Sequence, residues 1–358
     1  MSLNLFDIPE NIKDEMLKDK IEFNKKMSQL SAESRKSTKT GKCLYCSKET
    51  NSYCNSHSIP ASFLKNIAKG GKLYTHAALI DLPLLKADTG VNNAGTFLII
   101  CRDCDSKIFK DYEDKNNYKG HPTQKMLAQI AMKNHLKSSS QRAFEISRHE
   151  SIEKEINFNL SEQKQIKNSD LKEDIQGFKR AKKVNIKCVQ DEYYLFLYEK
   201  LHYVVPIAFQ HQIALAVDLD GNVINNLYNH DSNYKIELAH IAIFPLEDSS
   251  IVMMFIDKNN KRYRKFTKQL NRLSITEKLE LINYIVFLYS EDFYLSKKVR
   301  EDVMNDEVLK MVSGKTGISI MRVDASILDK LKENYDLSNV KGIPNLLSDE
   351  YKIIEFNS

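Results

Sequence analysis

The 358-residue chain has no tryptophan, no repeat of fixed period and no apolar run of about 18 residues or more, the length a membrane-spanning helix requires. The first absence excludes nothing. The second excludes solenoids and arrays, and the third a helical membrane protein. The chain opens MSLNLFDIPENIKDEM, acidic and polar where a secretory signal is basic and then apolar, which predicts a cytoplasmic protein. A phosphate loop is lacking as well: Gly314-Lys315-Thr316 resembles the end of one, but Leu309 stands where the first glycine belongs and no apolar strand leads in. Asp218, Asp220 and Asn222 lack the glycine and the twelfth-position glutamate of a calcium-binding EF loop, so Asp220-Gly221 reads as a hairpin turn. A large charge excess is missing too. The net charge of +5 is compatible with binding a polyanion through a local patch and does not require it.

What is present, 42% hydrophobic and 28% charged residues, belongs to a globular protein with enough chain for two domains. Residues 1–40 alternate lysine and glutamate around Ile12, Met16, Ile21, Phe23, Met27 and Leu30, which predicts a helical N-terminal arm. Five of the six cysteines fall in the next segment, 41–136, which ends in a helical stretch near Thr123–Leu136. A polar stretch, 137–192, expected as a loosely packed connection or peripheral helices, leads into 193–358. There YYLFLYE, YVVPIAF, IALAVDL, NVINNLY, AHIAIFPL and SIVMMFID alternate with period two and predict an antiparallel sheet. A helix follows, capped by Ser274 and Glu277 and apolar at Leu279, Ile282, Val286, Tyr289 and Phe293. A short last helix is expected around Ala325–Asn334. The fold class is α+β.

Cys43-Leu-Tyr-Cys46 and Cys101-Arg-Asp-Cys104 each leave the two-residue gap that lets both sulfurs of one turn face one ion. Clustered cysteines in a reducing compartment argue for metal over disulfides, and four thiolates close a tetrahedral structural zinc site. Cys188 stands apart as a bystander.

Inside the insertion lies Cys54-Asn-Ser-His57-Ser-Ile-Pro60, and the second pair runs directly into Asp105, with Glu113 further along. With these motifs the segment from 40 to 115 resembles the HNH, or His-metal finger, nucleases, in a bacterial variant with Ser-His-x-Ile-Pro and Cys-x-x-Cys-Asp. The resemblance implies a zinc-bound treble-clef (ββα-metal) module. It implies His57 as the base that takes a proton from water, Asn93 as a group orienting His57, and Asp105, with Glu113 as a second carboxylate, as ligands of a catalytic divalent ion: Mg or Mn, with Zn or Ni as further options. Ser56 departs from the family, which places an acidic residue or histidine before the base. Thr96 stands where the middle asparagine is expected. The residues themselves leave other readings open: His57 with Cys54 as further metal ligands, His57 as a structural histidine, Asp105 as a helix N-terminal cap.

Basic residues interleave with aromatics at Lys261, Arg262, Tyr263, Arg264, Lys265, Phe266 and Lys268, a stripe that would track phosphates with Tyr263 stacking on a base. Lys179, Arg180, Lys182 and Lys183 form a second basic cluster. The expected function is metal-dependent endonucleolytic cleavage, of DNA before RNA, in restriction or antiviral defence. The alternatives are an RNA-cleaving nuclease and a non-catalytic zinc-stabilised nucleic-acid-binding or scaffold protein. Expected partners are nucleic acid and no membrane, with a homodimer or partner protein held through the N-terminal arm or the C-terminal domain.

Overall fold

The computed structural model describes residues 41–80, 86–156, 160–231, 233–315 and 326–354, so the arm expected over 1–40 lies outside the described residues. The elements that position the site are, in chain order, β1 (Ser56–His57), α1 (Ala61–Ile67), β2 (Lys72–Tyr74), β3 (Asp88–Gly90), β4 (Thr96–Phe97), α2 (Arg102–Ile108) and α3 (Lys110–Glu113). Two long helices follow, α4 (Gln124–Ile156) and α5 (Ser161–Lys187). Then come β5 (Tyr193–Leu201), β6 (Ile207–Ile213), β7 (Ala239–Pro245), β8 (Ser250–Asp257), α6 (Arg264–Leu270), α7 (Ile275–Tyr289) and β9 (Phe293–Ser296). The class is α+β, with helices against an antiparallel sheet.

That sheet has the order β3-β2-β9-β6-β7-β8-β5, and β1 pairs separately with β4. Every residue of β7 and β8 is buried. Both faces of these central strands are covered, which is why they read as near-continuous apolar runs. Ile241, Ile243, Val252 and Met254 point into a core shared with α7, while Ala242, Phe244, Ile251 and Met253 point into a second core shared with α1 and α4. Phe63 on α1 rests on Phe244 with ring centroids 5.1 Å apart, and Asn66 donates to the Pro245 carbonyl at 2.9 Å. The cysteine-bearing segment is therefore seated directly on the sheet.

The sheet also crosses the boundary read from composition. Leu73 and Tyr74 of β2 pair with Ser296 and Leu295 of β9, so 41–136 contributes two strands to the sheet of 193–358 and covers the edge of the short β9. The expected run NVINNLY takes turns instead of a strand. A tight turn does form at Asp220-Gly221: Gly221 has φ +75°, and the Asp218 carboxylate accepts from the amides of Asp220 and Asn222, both at 2.9 Å. Beyond it Asn225 bonds the carbonyls of Leu215 and Glu237 with its side chain, in place of a backbone ladder.

The polar stretch 137–192 is mostly helix, and where α4 and α5 meet the sheet they bury polar side chains. His135 meets Asp174 at 3.2 Å, Gln212 reaches Asp174 and Ser138, and Asn134 joins Gln210 and His240, all at 2.5–3.2 Å. Gly177 is required here, because a Cβ would stand 2.3 Å from the His135 ring. Buried polar atoms are tolerated when they find partners of this kind. Helix α7 carries the expected capping box, with the Glu277 amide donating to Ser274 and the Glu277 carboxylate accepting from the Ser274 amide. Among the described residues no helix is long and apolar enough to cross a membrane.

Candidate functional site

The first cysteine pair sits on a turn closed by Ser47, which donates to the Cys43 carbonyl at 2.8 Å and takes φ +60°, a left-handed conformation that lets the chain fold back on itself. The second pair belongs to α2: Cys101 is its N-cap and Cys104 lies in its first turn. Together they place the sulfurs of Cys43, Cys46, Cys101 and Cys104 within 4.8 Å of one another, the only such group among the described residues. Cys46 and Cys101 are 4.0 Å apart. Tetrahedral coordination with Zn–S near 2.3 Å sets sulfurs about 3.8 Å apart, so the geometry and the soft donor set both fit a metal ion such as zinc. The Cys101 amide donates to the Cys43 sulfur at 3.3 Å, which ties the two pairs together. Lys182 of α5 braces the turn from outside, donating to the Tyr45 carbonyl and lying 4.3 Å over the Tyr45 ring.

One residue past Cys104 the same helix starts a different cluster. Asp105 accepts from the Ser56 hydroxyl at 2.5 Å and from the Lys133 ammonium at 2.9 Å on one oxygen, and from the Cys54 thiol at 3.3 Å on the other. Lys133, on α4, is 1% exposed. Its ammonium also reaches the Ser56 hydroxyl at 3.0 Å and the Glu113 carboxylate at 3.3 Å, and it lies 3.8 Å over the Phe109 ring. Burial pushes the Asp105 carboxyl up, but the Lys133 charge and the Ser56, Lys133 and Cys54 hydrogen bonds outweigh it and hold Asp105 below the usual carboxylate range. Glu113 is pushed up by burial, with Lys133 and Asp105 acting in opposite directions. Cys54 is pushed up to about 11 by burial and by the charge of Asp105, so it is a thiol that donates to Asp105. It stands outside the four-sulfur group.

Asp105 and Glu113, the carboxylates expected to hold a catalytic divalent ion, do therefore converge. What lies between them is a lysine. The donor set does not fit a second metal, because the position that an ion would take is filled by the Lys133 ammonium.

His57 follows Ser56 on β1, and successive strand residues point to opposite faces. Ser56 is thereby turned to Asp105 while the His57 Nε2 lies 3.0 Å from the Val91 carbonyl. A carbonyl only accepts, so Nε2 carries the proton and Nδ1 keeps its lone pair. Burial, more than the opposing Val91 bond, holds the His57 pKa below its ordinary value, with Lys133, Asp105 and Lys65 all close enough to add smaller effects. His57 is thus a neutral imidazole at pH 7. The group that orients it is the Val91 backbone, two residues before Asn93. The expected part for Asn93 falls to that turn, Val91–Asn93, whose Asn93 carbonyl accepts from Thr96.

The basic stripe divides. Tyr263 is fully buried and its hydroxyl bonds Leu215 and Glu237, so it cannot stack on a base. Arg262 is drawn to Glu237, to the Lys235 carbonyl and to Tyr234, whose hydroxyl it meets at 2.5 Å. Lys265 pairs with Asp220 at 2.7 Å. Lys261 and Arg264, in contrast, line a cavity of about 290 Å³ with Lys258, Tyr194 and Asp191, and Lys268 is exposed.

Sequence reasoning missed Lys133 and the Val91 carbonyl. Lys133 does leave a signal: it follows Met126 and Ile130 at steps of four and three, which puts a charge on an apolar helix stripe. A backbone carbonyl leaves none. No known family model matches the chain, and neither a curated protein nor a solved structure resembles it significantly.

Proposed function

We propose that the chain is a nuclease of the HNH type, in which a treble-clef zinc module carries a histidine base that hydrolyses phosphodiester bonds in nucleic acid, DNA before RNA. The observation that carries the reading is the His57 tautomer. An imidazole fixed by Nε2–H to Val91, neutral at pH 7 and with a bare Nδ1, is what a general base for water requires. In the proposed step Nδ1 takes the proton of a water whose oxygen bonds to phosphorus, as the bond from phosphorus to the leaving sugar oxygen breaks and that oxygen is protonated by solvent. Lys65, exposed on α1 and electrostatically coupled to His57, is the cation on that side of the module. The cavity of Lys258, Lys261, Arg264 and Tyr194 combines cations with an exposed ring, the pairing that tracks single-stranded nucleic acid.

A second reading, a zinc-stapled scaffold without catalysis, is favoured by the closed Lys133 cluster. Incubating the zinc-loaded protein with supercoiled plasmid and with RNA, in Mg²⁺, Mn²⁺ or no added divalent ion, separates the two. The nuclease reading expects cleavage that His57→Ala slows by about 10²- to 10⁴-fold with zinc content unchanged. Equal cleavage by both proteins contradicts the part given to His57, and no cleavage of either substrate by the wild type favours the scaffold.

A further inference from the structure

We infer that Lys133 is the resident cation of the acidic cluster and that this centre excludes a divalent ion. The ammonium has three N–H bonds and meets three oxygens, those of Ser56 at 3.0 Å, Asp105 at 2.9 Å and Glu113 at 3.3 Å. The Phe109 ring closes another side at 3.8 Å, and the remaining Asp105 oxygen is taken by the Cys54 thiol. Every donor of the cation is used. Both Asp105 oxygens and one Glu113 oxygen already have a donor group directed at them.

Displacement is opposed by the fold. Lys133 is 1% exposed and its neighbours on α4, Ala131, Met132 and Asn134, are completely buried, so the side chain is held in a packed environment. Mg²⁺ or Mn²⁺ would need near-octahedral oxygen at about 2.1 Å, far closer than the 2.9–3.3 Å spacing set by a hydrogen-bonded ammonium. An incoming ion would also face the repulsion of the buried Lys133 ammonium a few ångströms away. A tethered cation, by contrast, is present at every metal concentration.

The inference deepens the proposed nuclease, on which it rests only for one consequence: cleavage proceeds without added divalent ion. Cation binding itself is read without any turnover, so the two readings fail separately. The test is Mn²⁺ binding to the zinc-loaded full chain, followed by the electron paramagnetic resonance of free Mn²⁺. The wild type is expected to show no saturable Mn²⁺ site. Lys133→Ala, which uncovers Ser56, Asp105 and Glu113, is expected to gain one site at least about tenfold tighter than any wild-type binding, and Asp105→Asn in that background to remove it. A wild-type site that Asp105→Asn abolishes overturns the inference, and so does a folded Lys133→Ala protein that binds no Mn²⁺. Should Lys133→Ala not fold, the wild type still decides: its ¹⁵N-labelled Lys133 ammonium resonance is expected to survive Mn²⁺ unbroadened, and paramagnetic loss of that signal at stoichiometric Mn²⁺ overturns the inference.

Discussion

Cys104 and Asp105 are neighbours on the first turn of one short helix, and they serve two anionic clusters that are built on opposite principles. Cys104 joins three other cysteines whose sulfurs lie within 4.8 Å of one another, a group that could hold a cation from outside the chain. Asp105 joins Ser56 and Glu113 around an ammonium that the chain brings itself, from α4, 28 residues further along. With zinc bound, the first cluster would couple folding to metal supply. The second couples the module to α4, and through α4 to the sheet. Where the fold can deliver its own counter-charge, no ion is needed.

The largest effect should follow from breaking the first cluster. Cys101→Ser removes one ligand, and because structural zinc contributes on the order of 10 kcal/mol in small modules, more than most domains have to lose, the variant should lose zinc and the folded cysteine segment together. Metal content and circular dichroism would show it. A folded segment in Cys101→Ser, with no zinc in either protein, would mean that the four sulfurs are buried thiols packed without an ion.

Breaking the second cluster should cost less. Lys133→Met keeps most of the side-chain volume but leaves two carboxylates without their cation, a loss of about 3–5 kcal/mol by comparison with other buried pairs. Adding Asp105→Asn should recover part of that loss, because the two residues share one interaction. Urea unfolding of the single and double variants checks this, and strictly additive losses would contradict the pairing. Zinc should stay bound in both variants, which sharpens the contrast between the clusters.

The smallest effect concerns the polar face of α4 beyond Lys133, where the sheet supplies neutral groups. Burial holds His211 down to about 4 and places His240 well below its ordinary value. Between those values and 6.5 the unfolded chain binds more protons than the folded one, so stability present at pH 7 is lost as the pH falls through 6.5 towards 4. The shift at His211 corresponds to a loss on the order of 3 kcal/mol across that window. Asp292, held low by Lys137, keeps its contribution until the pH falls below the ordinary carboxylate value, outside the window. Urea midpoints at pH 7 and pH 5 should differ accordingly, and His211→Gln should flatten the slope. An unchanged slope in that variant would contradict a buried neutral His211.

The sequence carried the parts of this picture that depend on local spacing. Two Cys-x-x-Cys pairs, the Ser274 and Glu277 capping box and the Asp220-Gly221 turn are short-range patterns, and each is found where it was expected. What escaped depends on distance along the chain. β2 and β3 have three residues each, too few for a period, and their pairing with β9 is decided by an open sheet edge. Polar side chains around residue 136 are buried for a reason that only the sheet supplies: Gln210 and His240 bond Asn134, and Gln212 bonds Ser138 and Asp174. Tyr263 looked like a stacking ring because it sits among basic residues, yet the turn that leads into α6 directs it into the core. The partners of Lys133, Ser56, Asp105 and Glu113, are 20 to 77 residues away along the chain, beyond the reach of a local pattern.

Metal content of the purified full chain, measured by plasma mass spectrometry after equilibration with Zn²⁺ and excess Mn²⁺ and removal of free ions, tests the comparison of the two clusters most directly. The account predicts one zinc per chain and no manganese, with zinc lost in Cys101→Ser and kept in Asp105→Asn. A second, Asp105-dependent ion, or no zinc at all, would contradict it.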